Sequence, residues 1–352
     1  MKHRFLYFAV AAFAMVSCSQ DETIDINTGK GISFRPEAHA GTRATEISDN
    51  NLTDFWVTAL QEDGTPYFDK VKFTGSNGSS YTSNPAYNWP GTGDLTFHAF
   101  YPSVTDLGGT LTLDGTAQKL EGFTVKANLA EQKDLVYATA MGNAADNEES
   151  GVSLRFCHQL AQISVKAKSS SKAYTYKVKG VKIAEIPSTA DLTAFGQAPA
   201  WGTPSTNQRF TSTLASEVTL TEEAQSIMLT TDGTAMLIPQ QLTAWKPATD
   251  NTNDEKGAYL GVYIQITTTD GGHRVYPKSE GVDYAYACVP IDTKWEAGNH
   301  YVYTLDFSNG AGYVDPEDPD KPAEPILGGA IKFTVSVEPW KTEDSGQDIT
   351  MG

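Results

Sequence analysis

A period of two limits this chain more than any other feature. Apolar and polar residues alternate over short stretches, as in Ile163-Ser164-Val165-Lys166-Ala167. Successive side chains of an extended segment point to opposite faces, so such a stretch buries one face and wets the other. Strand-type stretches run over 54–60, 70–73, 95–101, 122–125, 153–156, 162–167, 174–186, 217–220, 234–238, 259–269, 284–290, 301–307 and 331–337. Turn residues stand between many of them: Glu62-Asp63-Gly64, Gly75-Ser76-Asn77-Gly78, Gly108-Gly109, Thr231-Asp232-Gly233 and Asp270-Gly271-Gly272. The best helix candidate is short, around Ala130–Ala140, and no heptad repeat appears. Short strands with few short helices predict an all-β chain built from β-sandwiches. At 352 residues there is room for two in tandem.

Charge narrows the function classes. There are 26 Lys+Arg against 43 Asp+Glu, a net of −17. No basic stripe is available to neutralise phosphates, which argues against a nucleic-acid partner. The same balance argues against charge-driven adsorption to anionic lipid. Three cysteines are too few for a disulfide framework or a Cys-rich zinc module.

The N-terminus is built differently. Lys2 and Arg4 precede an apolar run from Phe5 to Val16, and Ser17-Cys18 follows. A basic start, a short apolar core and a small residue describe a signal peptide over residues 1–17. As a helix the run would reach only ~18 Å, against ~30 Å of bilayer core. Met15-Val16-Ser17-Cys18 is a loose lipobox, with the cut before Cys18 and lipid on its thiol. Several acyl chains would make a stable anchor. The plainer alternative is a secretory signal beside a chance cysteine. Removing residues 1–17 takes Lys2 and Arg4 away and moves the net charge from −17 to −19. Cys157 and Cys288 then remain, each inside an apolar strand-like stretch; the alternatives are a disulfide formed in an oxidising compartment and, as the better reading, two buried free thiols.

Two breaks organise the remainder. Lys168-Ser169-Ser170-Ser171-Lys172 marks a domain boundary, although strand signal resumes at once. The run Asp315-Pro316-Glu317-Asp318-Pro319-Asp320-Lys321-Pro322 reads as an extended, solvated linker. It lacks the Gly and Glu spacing of a calcium-binding loop. The expected division is a signal at 1–17, an anchored segment with a first strand at 18–43, and sandwiches at 44–168 and 169–313. A linker at 314–330 and a terminal strand with a polar tail at 331–352 complete it.

Chemistry-bearing candidates are few. His158 beside Cys157 suggests a metal or nucleophile pair, but without a second ligand in the motif a core histidine is the better reading. Trp89, Trp201 and Trp245 lie in Pro- or Gly-containing loops, where they either stack on sugar rings or cap a sandwich end. Glu222 and Glu223 are adjacent on an extended chain, face opposite ways and cannot flank one bond. No Gly-x-Ser-x-Gly, P-loop, His-Glu-x-x-His or Cys-x-x-Cys occurs. No catalytic residue, metal site or cofactor is expected, and an enzyme is the least favoured class.

Six stretches in order carry a resemblance. They are Phe97-His98-Ala99-Phe100-Tyr101-Pro102, Lys133-Asp134-Leu135-Val136-Tyr137-Ala138, and Val152 to Ala161 with its Phe156-Cys157-His158-Gln159-Leu160. Met236-Leu237-Ile238-Pro239-Gln240, Trp295 to Tyr303, and Ile331 to Trp340 follow. Together, over about 250 residues behind a lipoprotein-type signal, they resemble the fimbrillin-like lipoproteins of Bacteroidetes, the pilins of type V fimbriae. Acidic residues just after Cys18 also resemble the surface-export signals of such lipoproteins.

The resemblance implies two transthyretin-like β-sandwiches and a structural role as a fimbrial subunit precursor at the outer membrane. It implies maturation in two cuts, the second by an Arg- or Lys-specific protease that removes the first strand. Ala40-Gly41-Thr42-Arg43-Ala44-Thr45 fits such a site, with cleavage between Arg43 and Ala44, although Arg43 also reads as an ordinary surface arginine. A strand from a neighbouring subunit would then repair the opened sheet, head to tail, giving a filament. Ile331, Phe333, Val335 and Val337 alternate with polar residues and suit either a donated strand or the last strand of the chain's own second domain. In the second case the polar tail, with Ile349 and Met351, becomes the exchanged part. The expected partners are other pilin subunits, the protease and, before maturation, the membrane. The alternative is a non-polymerising surface lipoprotein or tip adhesin that binds a glycan or host protein.

Overall fold

A computed structural model describes residues 29–36, 52–76, 79–228, 234–247, 256–318 and 323–340. The described residues are almost entirely β. A six-stranded antiparallel sheet runs in the order Cys157–His158, Val136–Gly142, Leu95–Tyr101, Asp54–Leu60, Pro66–Thr74, Thr82–Ser83. A short parallel pair, Phe34–Pro36 with Val152–Leu154, completes this N-terminal unit. Its core is aromatic: Phe34, Phe55, Phe73, Phe97 and Trp89 are fully buried.

The second unit is a larger sandwich. One layer holds Ala161–Lys168, Asn299–Asp306 and Lys332–Pro339 side by side. The other is centred on the 21-residue strand Tyr174–Ala194, which pairs with Tyr259–Thr268 and Ser205–Thr219. Ile163, Val165, Tyr303 and Leu305 from the first layer meet Val178, Val181, Val262 and Ile264 from the second in one core. Apolar residues at every second position made each strand one-sided, and the two one-sided layers cover each other.

A strand of 21 residues stays in register by bulging. Its pairing shifts at Val178/Gly180, at Ile183/Ile186 and at Ala190/Leu192. Gly180 occupies the first shift because a Cβ there would lie 2.2 Å from the Ser212 carbonyl oxygen. Beyond the last bends the strand reaches Gln118–Thr124. That strand and its hairpin partner Thr110–Leu113 come from the first half of the sequence. Sheet membership therefore changes near residue 160, ahead of the Ser-rich stretch, and the hairpin crosses over. The Ser-rich stretch itself links Ala161–Lys168 in one layer to Tyr174–Ala194 in the other.

Two local expectations are corrected. The helix expected around Ala130–Ala140 is a single 3-10 turn, Leu129–Glu131, followed by the strand Val136–Gly142. That strand pairs with Leu95–Tyr101 from Leu95↔Gly142 to Tyr101↔Val136, and sheet pairing outweighs a weak local preference. The described α-helix is instead Ala144–Asn147, whose Asn143 cap accepts from the Asp146 N–H. The Pro- and acid-rich run also departs from a solvated spacer. Asp315 and Glu317 reach a buried lysine, Lys182. Residues beyond the run fold back, with Val314 N–H donating to Glu324 and Gly312 N–H to Gly329, while Ala323 and Ile326 are buried.

His98 sits on the central strand Leu95–Tyr101, buried, with Nδ1 2.5 Å from the Tyr137 hydroxyl. Burial lowers its pKa in the folded chain. The unfolded state therefore binds more protons below the ordinary histidine range, so this contribution is full above about pH 6.5 and lost as pH falls. Urea unfolding midpoints should drop between pH 7.5 and 5.5, and His98→Gln should flatten that dependence. An unchanged slope in the variant would remove His98 as its source.

Candidate functional site

The strand Phe34–Pro36 is the plug of the N-terminal core. Ile32 and Phe34 alternate with polar Ser33 and Arg35, so the apolar pair points inward. Phe34 is 0% exposed and meets Phe73, Phe97 and Phe55 edge-on, with ring centroids 4.7, 5.0 and 6.0 Å away. The backbone is bound on both sides. Phe34 exchanges N–H and carbonyl bonds with Tyr81 at 3.0 and 2.9 Å. Val152 N–H donates to Ser33 at 2.8 Å, and Ile32 N–H to Tyr87 at 2.7 Å. Withdrawing this segment would uncover the three aromatic neighbours Phe55, Phe73 and Phe97 and leave backbone groups unpaired.

The C-terminal strand is held less deeply. Lys332–Pro339 pairs antiparallel with Asn299–Asp306 along its full length, from Lys332↔Asp306 to Pro339↔Asn299, at the edge of its layer. In the chain as described it is thus the last strand of its own sandwich. Phe333 and Val335 are half-buried and Val337 is 56% exposed. Its ends are fixed: Ile331 and Trp340 are buried, and Trp340 stacks on His158 at 4.2 Å. Trp340 N–H also donates to Gly298 at 3.1 Å.

A third feature had no sequence signal beyond a lysine in an apolar strand. Lys182, flanked by Val181 and Ile183, is 1% exposed. Its Nζ lies 2.5 Å from Asp315 Oδ2 and 3.2 Å from Glu317 Oε2, with the Tyr286 and Tyr259 rings 4.4 and 5.2 Å away. Asp315 Oδ1 accepts from the Tyr259 hydroxyl at 3.3 Å and from the Glu317 N–H at 3.1 Å. Arg209 pairs with the other oxygen of Glu317. Burial first, then the Asp315 charge, pushes the Tyr259 hydroxyl far up, so it remains a donor.

The remaining candidates scatter. Cys18, Arg43, Ala44 and the tail with Ile349 and Met351 lie outside the described residues. His158 is a core residue, with Nδ1 against the Asp134 carboxylate. Cys157 is half-buried, Cys288 is buried and both are free. Burial pushes both thiols up, Cys288 well above the ordinary range. Trp89 and Trp245 are enclosed in cores. Trp201 is half-buried, donates to the Gln159 carbonyl at 2.8 Å, and borders a surface cleft of about 800 Å³ with Gln240, Lys294 and Glu338. Among the described residues no group of three or more His, Cys, Asp or Glu is placed to hold a metal ion.

Comparison with known proteins supplies the family. A fimbrillin-like family matches residues 42–340. No match emerges among curated proteins. A fimbrial protein from Bacteroides vulgatus ATCC 8482 shares the fold at 16% identity and a TM-score of 0.55, over 89% of this chain and 100% of its own. The fimbrial anchor protein Mfa2 from Porphyromonas gingivalis is similar at 11% identity and a TM-score of 0.35, over 88% of this chain and 98% of its own. With the family match running through both β units and ending on Trp340, the chain belongs to the fimbrillin-like family.

Proposed function

We propose that the chain is the precursor of a structural fimbrial subunit that assembles by exchange of strands and supports adhesion. It would be exported with lipid on Cys18, held at the outer membrane, and cut by an Arg-specific protease between Arg43 and Ala44. The segment carrying Phe34 then leaves with the anchor. The burial of Phe34 carries this reading: the plug lies on the anchor side of Arg43 and is enclosed among Phe55, Phe73 and Phe97.

Strand exchange follows from what each site buries. A neighbour's Phe333 and Val335 have the same spacing as Ile32 and Phe34, so they can occupy the same two inward positions. Half-buried side chains in their own sheet would become enclosed ones in the neighbour's, and the backbone groups freed at Tyr81, Tyr87 and Val152 would regain partners. The contact joins unlike surfaces and therefore propagates. The fixed ends at Ile331 and Trp340 favour a second reading, in which the closing strand stays home and the chain is a tip adhesin or a non-polymerising surface lipoprotein.

Light treatment of the full chain with an Arg-specific protease should release a stable fragment beginning at Ala44, followed by SDS-resistant oligomer ladders. Arg43→Ala should block both. A clipped chain that stays monomeric would count against exchange, and glycan binding by the uncut monomer would favour the adhesin. Deleting 341–352 or 331–352 separately should show which segment is exchanged. Phe34→Ala should destabilise the uncut chain by about 3–5 kcal/mol in denaturant titrations. After cleavage it should have no effect, because the residue is gone; a persisting deficit would mean that the plug stays bound.

A further inference from the structure

The Lys182 cluster has the parts of a reaction as well as of an ion pair. An ammonium and a carboxylate withdrawn from water lose hydration that their mutual attraction only partly restores. Transfer of one proton from Nζ to the Asp315 carboxylate is the step that would give the neutral amine and neutral carboxyl group a condensation starts from. A neutral, buried lysine is a nucleophile, and here its Nζ is held 2.5 Å from a carboxylate oxygen of Asp315. We propose that Lys182 and Asp315 condense into an intramolecular isopeptide bond, with Glu317 as the proton carrier.

The geometry assigns each role. From its 2.5 Å contact with Oδ2, the Nζ of Lys182 moves its lone pair onto the adjoining Cγ of Asp315. Negative charge grows on Oδ1, where the Tyr259 hydroxyl and the Glu317 N–H already donate. The Glu317 carboxylate, 3.2 Å from Nζ, takes one proton from the nitrogen. It returns that proton to the Asp315 hydroxyl oxygen, Oδ2, which leaves as water. One C–N bond forms and one C–O bond breaks. No electrons are transferred and no co-reactant is consumed. The Tyr286 and Tyr259 rings shield the lysine stem, and Arg209 keeps the shuttle carboxylate in place.

The position gives the bond a use. It would fasten the start of the Pro- and acid-rich run to the middle of Tyr174–Ala194, just before the chain departs toward its closing strand. Tension on a C-terminal segment held by a neighbour would pass directly into the central sheet and bypass the short strand Tyr313–Val314. This mechanical use rests on the fimbrial reading above, whereas the bond itself does not.

Intact mass spectrometry of the purified full chain is the test. The expected mass falls one water molecule below that of the unreacted chain. Tandem spectra of a digest should contain a branched peptide joining Lys182 to Asp315. Glu317→Gln should keep the shape, lose the shuttle and return the unreacted mass, as should Lys182→Arg. A wild-type mass equal to the unreacted chain, with separate linear peptides for Lys182 and Asp315, would overturn the proposal whether or not the variants fold. Failure of oligomer ladders with the water still missing would strike only the fimbrial reading.

Discussion

A strand edge without a partner is the constraint on which this molecule depends. Backbone donors and acceptors along such an edge are unsatisfied wherever they are buried, and the side chains beside them remain uncovered. The two covers that matter here come from near the ends of the described chain. Phe34–Pro36 closes the N-terminal aromatic core, and Lys332–Pro339 closes one layer of the second sandwich. The two covers are chemically alike, each presenting apolar side chains at alternate positions. They differ in depth: Phe34 is enclosed on all sides, whereas Val337 stands mostly in solvent. Each unit is thus closed by a strand from near one end of the described residues, one deep and one shallow.

Much of this pattern is legible before any coordinates. The stretches 54–60 and 95–101 coincide with observed strands, because a long alternating run has one way to bury its apolar face. A first strand within 18–43 is legible too, and lies at Phe34–Pro36. The segment around Ala130–Ala140 misleads because alanine favours helix locally, while the open edge of Leu95–Tyr101 decides the matter from far along the chain. Likewise, proline and acid in 315–322 suggest a solvated tether. The sequence does not reveal that Lys182, 133 residues earlier, lies buried and waiting for those carboxylates. Long-range charge pairing leaves no periodicity to read. The same holds for Trp89, Trp201 and Trp245, alike in their loops, of which two are enclosed in cores and Trp201 borders a cleft.

The crossing hairpin has a consequence for how the chain reaches its fold. Thr110–Thr124 is made early but belongs to the sheet of Tyr174–Ala194, whose other neighbour, Tyr259–Thr268, is made late. The sheet of Tyr174–Ala194 is thus complete in neither half of the sequence. Contacts of large sequence separation must therefore form together, which slows folding and raises its cooperativity. A fragment cut at any single point between the two units would inherit an orphaned hairpin or a sheet without its edge, so the molecule matures as one body or not at all.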